Sequence, residues 1–320
     1  MQVFRTFEEF ARHSVKVCLA IGVFDGVHLG HQRVIGQARD DARAGGGKAI
    51  VLTFDPHPMR VLQPNKAPRL LTSTEHKLRL IDNLGVDGCL LLKFDKAFSL
   101  TPAEQFIDTV ARHVHPLQEI CVGTRFRFGH DRAGDVHLME ALAPQYGYAA
   151  KEIKSVKLDD EMISSTAIRQ HVLQGHLDRA AAMLGRPFSI LGTVEPGDRR
   201  GRELGFPTAN LNPRDEVLPP DGVYAARAII GAEQFGSVVN VGVRPTFAET
   251  EPRRVLEVHI LDFARDLYGK TVEVVFLKKL RDEQKFTSVD ALKAQIAADI
   301  QSARGLVPLP TPVGPGNGTA

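Results

Sequence analysis

From residue 15 to about 125, short apolar runs alternate with polar, helix-like stretches. VKVCLAIGVF, KAIVLTF, VDGCLLLKF and EICVG read as strands, and HQRVIGQARDDARAGG, TSTEHKLRLIDNLG and TPAEQFIDTVARHVH as the helices between them. That alternation predicts an α/β domain with a parallel sheet and crossover helices. Helix starts are marked by Thr72 or Ser73 ahead of Glu75, and by Thr101-Pro102 with Glu104, which supply a cap, an early proline and early acidic residues. After residue 162 comes a short helical stretch, ISSTAIRQHVLQGHLDRAAAMLG, and then the period changes. FSILGTVE, GVYAARAII, FGSVVNVG, RVLEVHILD and TVEVVFLKKL alternate and are separated by Gly, Pro and Asp turns, which predicts an antiparallel β-barrel or sandwich. A last helix, SVDALKAQIAADIQSA, capped by Ser288, is expected to plug or cover the barrel. The expected division is a first domain over 1–185, a second over 186–305 and a disordered tail over 306–320.

Two domains fit a chain of 320 residues, each large enough for its own core. Forty basic against thirty-eight acidic residues leave a net charge of +2, which offers no general attraction to nucleic acid or anionic lipid and favours small-molecule chemistry. Cys18, Cys89 and Cys121 form no CxxC pair and sit in apolar runs, so they read as buried thiols of a reducing compartment. The N-terminus has no apolar signal-like region and no run approaches bilayer-spanning length, so a cytoplasmic protein is expected. No obligate protein partner is evident.

Chemistry is concentrated in GVFDGVHLGHQ, which follows the first strand and opens a helix. Gly22 and Gly26 permit a tight turn and close approach of a nucleotide, the helix start offers unpaired N–H groups, and His28 and His31 add donors to a phosphate gaining charge. Such an arrangement works by positioning and charge stabilisation, with no covalent intermediate. AGGGK at 44–48 is not a phosphate-binding loop of the Walker type, because it follows a helix and Lys48 precedes Ala; it reads as a helix C-terminal turn. In the second half, GDRRGRELGFPTANLN combines a Gly- and Arg-rich loop with hard oxygen donors at Thr208 and Asn210, suited to phosphates and Mg²⁺. LEVHI places Glu257 and His259 on one face opposite Leu256 and Val258, and periodicity leaves open which face lies inside the barrel.

These segments together resemble the bacterial bifunctional riboflavin kinase/FAD synthetase family. HLGH is similar to the HxGH signature of nucleotidyltransferases, and TFDPHP, RLLTSTEHK and ISSTAIR follow in the family's order. The resemblance implies a Rossmann-like nucleotidyltransferase domain that adenylylates FMN to FAD. Gly22, Phe24, Asp25, Gly26, His28, His31, Ser164, Ser165, Thr166 and Arg169 would then be on the ATP side, with His28, His31 and Arg169 catalytic. His57, Arg125, Phe126 and Phe128 would be on the flavin side, although for the two phenylalanines a place in the core is an equal alternative. GRELGFPTANL, DGVYAA, NVGVRPTF, LEVHILDF, DLYGK and LRDEQKF resemble the riboflavin kinase half. There the resemblance implies an ATP site at Gly201, Arg202, Gly205, Thr208 and Asn210, Mg²⁺ on Thr208 and Asn210, and Glu257 as general base. Arg281, Glu283 and Phe286 would border the flavin.

The implied substrates and products are riboflavin, FMN, FAD and ATP. Arg125 departs from the Asn or Asp usual in the family, so a kinase whose first domain is only a scaffold or nucleotide sensor is the alternative. A flavin-responsive nucleic-acid-binding regulator is a third reading, opposed by the absence of a basic stripe and by the presence of His28, His31, Thr208, Asn210 and Glu257.

Overall fold

The computed structural model describes the chain except residues 12–14, 198–199, 214, 245–252 and 307–320, and except the side chains at 200, 202, 244 and 253. It divides into two compact units, one of residues 1–168 with 183–185, the other of residues 169–182 with 186 onward.

The first unit is built on β1 (Gln2–Phe4), β2 (Val17–Ile21), β3 (Lys48–Asp55), β4 (Gly88–Lys93), β5 (Leu117–Gly123) and β6 (Ala149–Ile153). They form one all-parallel sheet in the order β1-β4-β3-β2-β5-β6. All five residues of β2 are buried because both faces of the sheet are covered. Val17, Leu19 and Ile21 pack on one face with Phe106, Ile107 and Val110, whereas Cys18 and Ala20 pack on the other with Val34, Ile35 and Ala38. The covering helices are α1 (Phe7–Phe10), α2 (Leu29–Ala44), α3 (Pro58–Leu62), α4 (Thr74–Asp82), α5 (Ala103–His113) and α6 (Val136–Tyr146). The order of strands reverses at β2, whose neighbours are β3 and β5; ligand clefts of open α/β sheets form at such a point, outside the carboxyl ends of the strands.

Expected and observed elements agree closely between residues 17 and 123, and two details differ. Ser73, not Thr72, caps α4, its Oγ accepting from His76 N–H at 3.2 Å. Pro102 takes the cap position of α5 without a side-chain bond, so Thr101 does not cap it. Gly45 ends α2, with its N–H donating to Asp41 O at 2.9 Å, as a helix C-terminal turn should. Cys18, Cys89 and Cys121 are free and buried, and burial pushes the Cys89 thiol up to about 12. A small hairpin, β7 (Lys157–Leu158) with β8 (Glu161–Met162), leads to α7 (Ser165–Leu173) and α8 (Leu177–Leu184).

The second unit is a closed antiparallel barrel. Its strands are β9 (Ser189–Glu195), β10 (Ala209–Leu211), β11 (Gly222–Ile230), β12 (Glu233–Arg244), β13 (Arg253–Ile260) and β14 (Thr271–Arg281), in the order β10-β13-β12-β11-β14-β9. α9 (Arg200–Glu203) and α10 (Val289–Leu306) complete it. Cross-strand partners share a face, so the pairs Tyr224↔Val239 and Val239↔Val258, all fully buried, define the inside. The pair Ala225↔Val238 lies on the opposite face, where it packs with Ile300 and Ala303 of α10. The last helix therefore covers an outer wall and does not plug the barrel. Ser288 caps it, Oγ accepting from Ala291 N–H at 3.1 Å. The expected tail lies outside the described residues except for Leu306, which closes α10.

Candidate active sites

In the first unit the turn after β2 brings together most of the residues singled out in GVFDGVHLGH. Phe24 and Val27 hold φ of 53° and 41°, a left-handed conformation costly for such side chains, and Gly26 holds 81°. Backbone of this kind persists only if its surroundings hold it. Asp25 does much of that. Its carboxylate accepts from Leu71 N–H at 3.0 and 3.1 Å and from Thr72 N–H at 3.1 Å, while Gly26 N–H donates to Thr72 Oγ1 at 3.1 Å. The carboxylate of Asp25 is thus turned into the protein. Ser165 Oγ donates to the Asp25 carbonyl at 3.0 Å, and Ser164 Oγ accepts from Ala167 N–H at 3.2 Å as the cap of α7. Thr166 is exposed, and Arg169, further along the same helix, falls in the second unit.

His28 caps α2. Its Nδ1 accepts from His31 N–H at 3.3 Å, so neutral His28 carries its proton on Nε2. The two imidazoles stack at 3.5 Å between centroids, and Phe24 meets His31 edge-on at 5.3 Å. His31 Nδ1 is buried without a hydrogen-bond partner among the described residues. Burial first, then His28 and Lys77, hold the His31 imidazole well below the usual histidine range, so it is neutral at pH 7. Glycine at position 30 has a steric reason: a Cβ there would come within 3.1 Å of the His28 ring.

Beside this turn, at the carboxyl ends of the strands, opens a cleft of about 650 Å³. Val23, Phe54, Phe94, His57, Arg125 and Phe126 line it, together with Phe128 and the 129–132 loop. His57 caps α3, its Nδ1 accepting from Met59 N–H at 3.2 Å. Phe126 stacks on Phe128 at 5.7 Å; Phe128 is buried with Phe106, and Phe126 is half-buried at the cleft wall. Phe128 thus belongs to the core and also lines the cleft. The Arg125 guanidinium is exposed.

The second unit holds a cleft of about 700 Å³ between the outer wall of the barrel and α10. Strand register places Asn210 opposite Glu257 and Glu257 opposite Asn240, which makes a polar row across β10, β13 and β12. This row faces away from Leu256 and Val258, so Glu257 lies outside the barrel proper yet within a walled cleft, half-buried. The question left open by periodicity is answered by α10, which roofs that wall. Thr208 lines the same cleft, and His259 Nδ1 bonds the Pro207 carbonyl at 2.9 Å, fixing the segment that carries Thr208. Gly201 lets this loop close up, because a Cβ there would meet Phe206 O at 2.5 Å and Thr208 Oγ1 at 3.1 Å. Gly205 turns at φ 92°. Asp198, Arg199 and the side chain of Arg202 lie outside the described residues.

Arg281, Glu283 and Phe286 all line this cleft. Arg281 is committed to the protein: Nε and Nη2 grip the Asp299 carboxylate of α10 at 2.9–3.1 Å, Nη1 donates to Asp282 O at 3.0 Å, and the guanidinium lies 5.7 Å over the Phe286 ring. Sequence reasoning missed Asn240 and Asp299. Asn240 was discoverable as the polar member of the alternation Val238, Asn240, Gly242; Asp299 was not, since it looks like any charge on a surface helix.

Comparison with known proteins matches the two units separately and the chain as a whole. The FAD synthetase family model matches residues 11–167, and the riboflavin kinase family model matches residues 184–307. The bifunctional riboflavin kinase/FMN adenylyltransferase of Escherichia coli strain K12 is 39% identical over 98% of this chain and 100% of its own length. The protein of the same name from Haemophilus influenzae is 37% identical over 95% of this chain and 98% of its own. Among solved structures, a crystal structure described as a macrolide-efflux protein from Streptococcus pneumoniae aligns with a TM-score of 0.81 at 30% identity, covering 96% of this chain and 100% of that one. Among the described residues here, no helix is long and apolar enough to cross a membrane. Full-length similarity and the two domain matches agree with the two clefts: the chain belongs to the bifunctional riboflavin kinase/FMN adenylyltransferase family.

Proposed function

We infer that this chain phosphorylates riboflavin to FMN in its second unit and adenylylates FMN to FAD in its first, with ATP as co-substrate of both steps. The observation that carries the reading is the presence of two complete clefts on one chain, each built from the residues of one matched family. A kinase-only chain is not favoured, because relatives bearing both names align from end to end and the His28–His31 pair is intact.

At the first site, the start of α2 and the Nε2–H of His28 are placed to stabilise charge on the α-phosphate as the FMN phosphate attacks and pyrophosphate leaves. The aromatic cleft takes the isoalloxazine ring, and Arg125 at its mouth is the assigned partner of the FMN phosphate. Its fixed charge makes the departure from Asn or Asp compatible with activity. At the second site, Glu257 takes the proton of the ribityl 5′-hydroxyl as that oxygen attacks the γ-phosphorus. Thr208 and Asn210 offer hard oxygens on the same wall and have no side-chain hydrogen bond among the described residues, which fits them to Mg²⁺. When bound, the ion would neutralise phosphate charge. Cytoplasmic location follows as part of this reading.

Purified protein incubated with riboflavin, ATP and Mg²⁺, with the flavins separated by chromatography, should yield FMN and then FAD. Glu257→Gln should abolish most FMN formation and spare FMN-to-FAD conversion, and His31→Ala should do the reverse. A parent protein that makes no more FAD than the His31→Ala variant would leave only the kinase.

A further inference from the structure

We propose that Lys77, which lies behind the phosphate-binding turn, is a positioning residue of the adenylyl-transfer site, its buried ammonium holding the turn in shape. This rests on the reading of the first cleft given above. Lys77 is only 6% exposed on α4. Its Nζ donates to Phe54 O at 3.0 Å, to Thr53 Oγ1 at 3.2 Å and to Val23 O at 3.4 Å, three neutral oxygens for the three donors of an ammonium. A cation buried on neutral oxygens costs stability that an apolar side chain of the same length would not, so the fold alone gives no reason for it.

Its acceptors supply that reason. Val23 lies two residues past the carboxyl end of β2 and Phe54 is the penultimate residue of β3, and both line the 650 Å³ cleft. Val23 is followed at once by Phe24, the first left-handed residue of the turn. Thr53 Oγ1 also donates to Val23 O at 3.0 Å, so that carbonyl is held by two donors from two directions. The same stretch of chain grips the turn a second time through Leu71, Thr72 and Asp25. Residues 71–77 therefore hold both ends of the strained segment that delivers His28 and His31.

Electrostatics add a readout that packing alone would not move. Charged and titratable groups that act on Lys77 are Asp25, Asp55 and Cys89, all opposing the effect of burial; those acting on His31 are His28 and Lys77. The ammonium disfavours a proton on His31. Removing it should let that imidazole protonate at higher pH.

The test uses the full chain as Lys77→Met, which keeps the length and loses charge and donors, with Lys77→Arg as the charge-keeping variant and Lys77→Gln should the Met variant not fold. FMN-to-FAD turnover should fall by between about 10-fold and 100-fold in kcat, with a smaller change in KM for FMN, while riboflavin-to-FMN turnover by the same molecules stays near the parent rate. The Arg variant should recover part of the loss. In ¹³C-histidine spectra the His31 midpoint, assigned through His31→Ala, should rise in the uncharged variants and not in the Arg variant. FAD formation within about threefold of the parent, an equal loss of both activities, or an unmoved His31 midpoint would each overturn the proposal. A parent that forms no FAD refutes the adenylyl-transfer reading separately, and the role of Lys77 in the turn is then decided on the His31 midpoint.

Discussion

Asp299→Asn is the sharpest probe of how the second cleft is assembled. The carboxylate is 5% exposed and takes the Nε and Nη2 bonds of Arg281, whose side chain is 19% exposed, with a further bond of 2.9 Å from Gln295. Removing one partner of a buried ion pair typically costs about 3–5 kcal/mol, since the other charge is left without compensation. Here the loss should be smaller. The Asn oxygen still accepts one bond, and Arg281 retains Asp282 O and some solvent, so about 2–3 kcal/mol is expected. In a unit of this size each kcal/mol moves the melting point by roughly 3–5 °C, which gives a shift on the order of 6–15 °C. Because Arg281 also lies over Phe286 and the helix roofs Glu257, FMN formation should lose its thermal stability by this amount while FAD formation inactivates at the parent temperature. Measuring both activities after graded heating separates the two units without cutting the chain. A shift below about 2 °C, or parallel inactivation of both activities, would refute the view that this pair fastens α10 to the barrel. The double variant Arg281→Met/Asp299→Leu should recover most of the stability, as apolar replacements of buried pairs commonly do.

Three further outcomes follow from the geometry. Gly30→Ala should leave stability level or raise it by up to about 1 kcal/mol through helix propensity, yet slow FAD formation roughly tenfold, because the new methyl displaces the His28 ring; unchanged FAD formation would refute the steric argument. Gly242→Ala would overlap the Glu283 carboxylate, so the KM for riboflavin should rise with FAD formation from supplied FMN unaffected, and an unchanged KM would separate Glu283 from the flavin. His31 is neutral when folded and takes a proton near its ordinary value when unfolded, so the unfolded state binds more protons below about pH 6.5. Its contribution to stability is complete above that pH and falls, by about 1.4 kcal/mol per unit, towards the depressed folded value; His31→Gln should flatten this acid limb of the urea midpoint, and an identical limb would show His31 to protonate freely in the fold.

Local chemistry already specifies much of this protein. A short apolar run bounded by turn residues at β2, helical spacing in α2 and α5, and alternation such as that of LEVHI in β13 each favour one backbone geometry, so element type and the change from a parallel to an antiparallel half are legible in order. The turn at GVFDGVHLGH is legible for the same reason: glycines and a helix start at that spacing admit few uses. What could not be read is everything that depends on which distant segments meet. That the Asp25 carboxylate braces the turn is decided by residues 71 and 72, which bring it two backbone donors. Lys77 looks like a solvated helix charge and is buried behind β2 and β3. Glu257 faces a wall that periodicity can place on one side of its strand but cannot identify as inside or outside. Side-chain alternation is a property of two neighbours, whereas the cleft exists because α10, arriving some thirty residues later, lies over that wall with Asp299 locked to Arg281. The chain's order of apolar and polar residues determined its two folds and the candidate polar groups; tertiary packing decided which of those groups face a cleft and which hold the others in place, since burial and partners belong to the assembled structure alone.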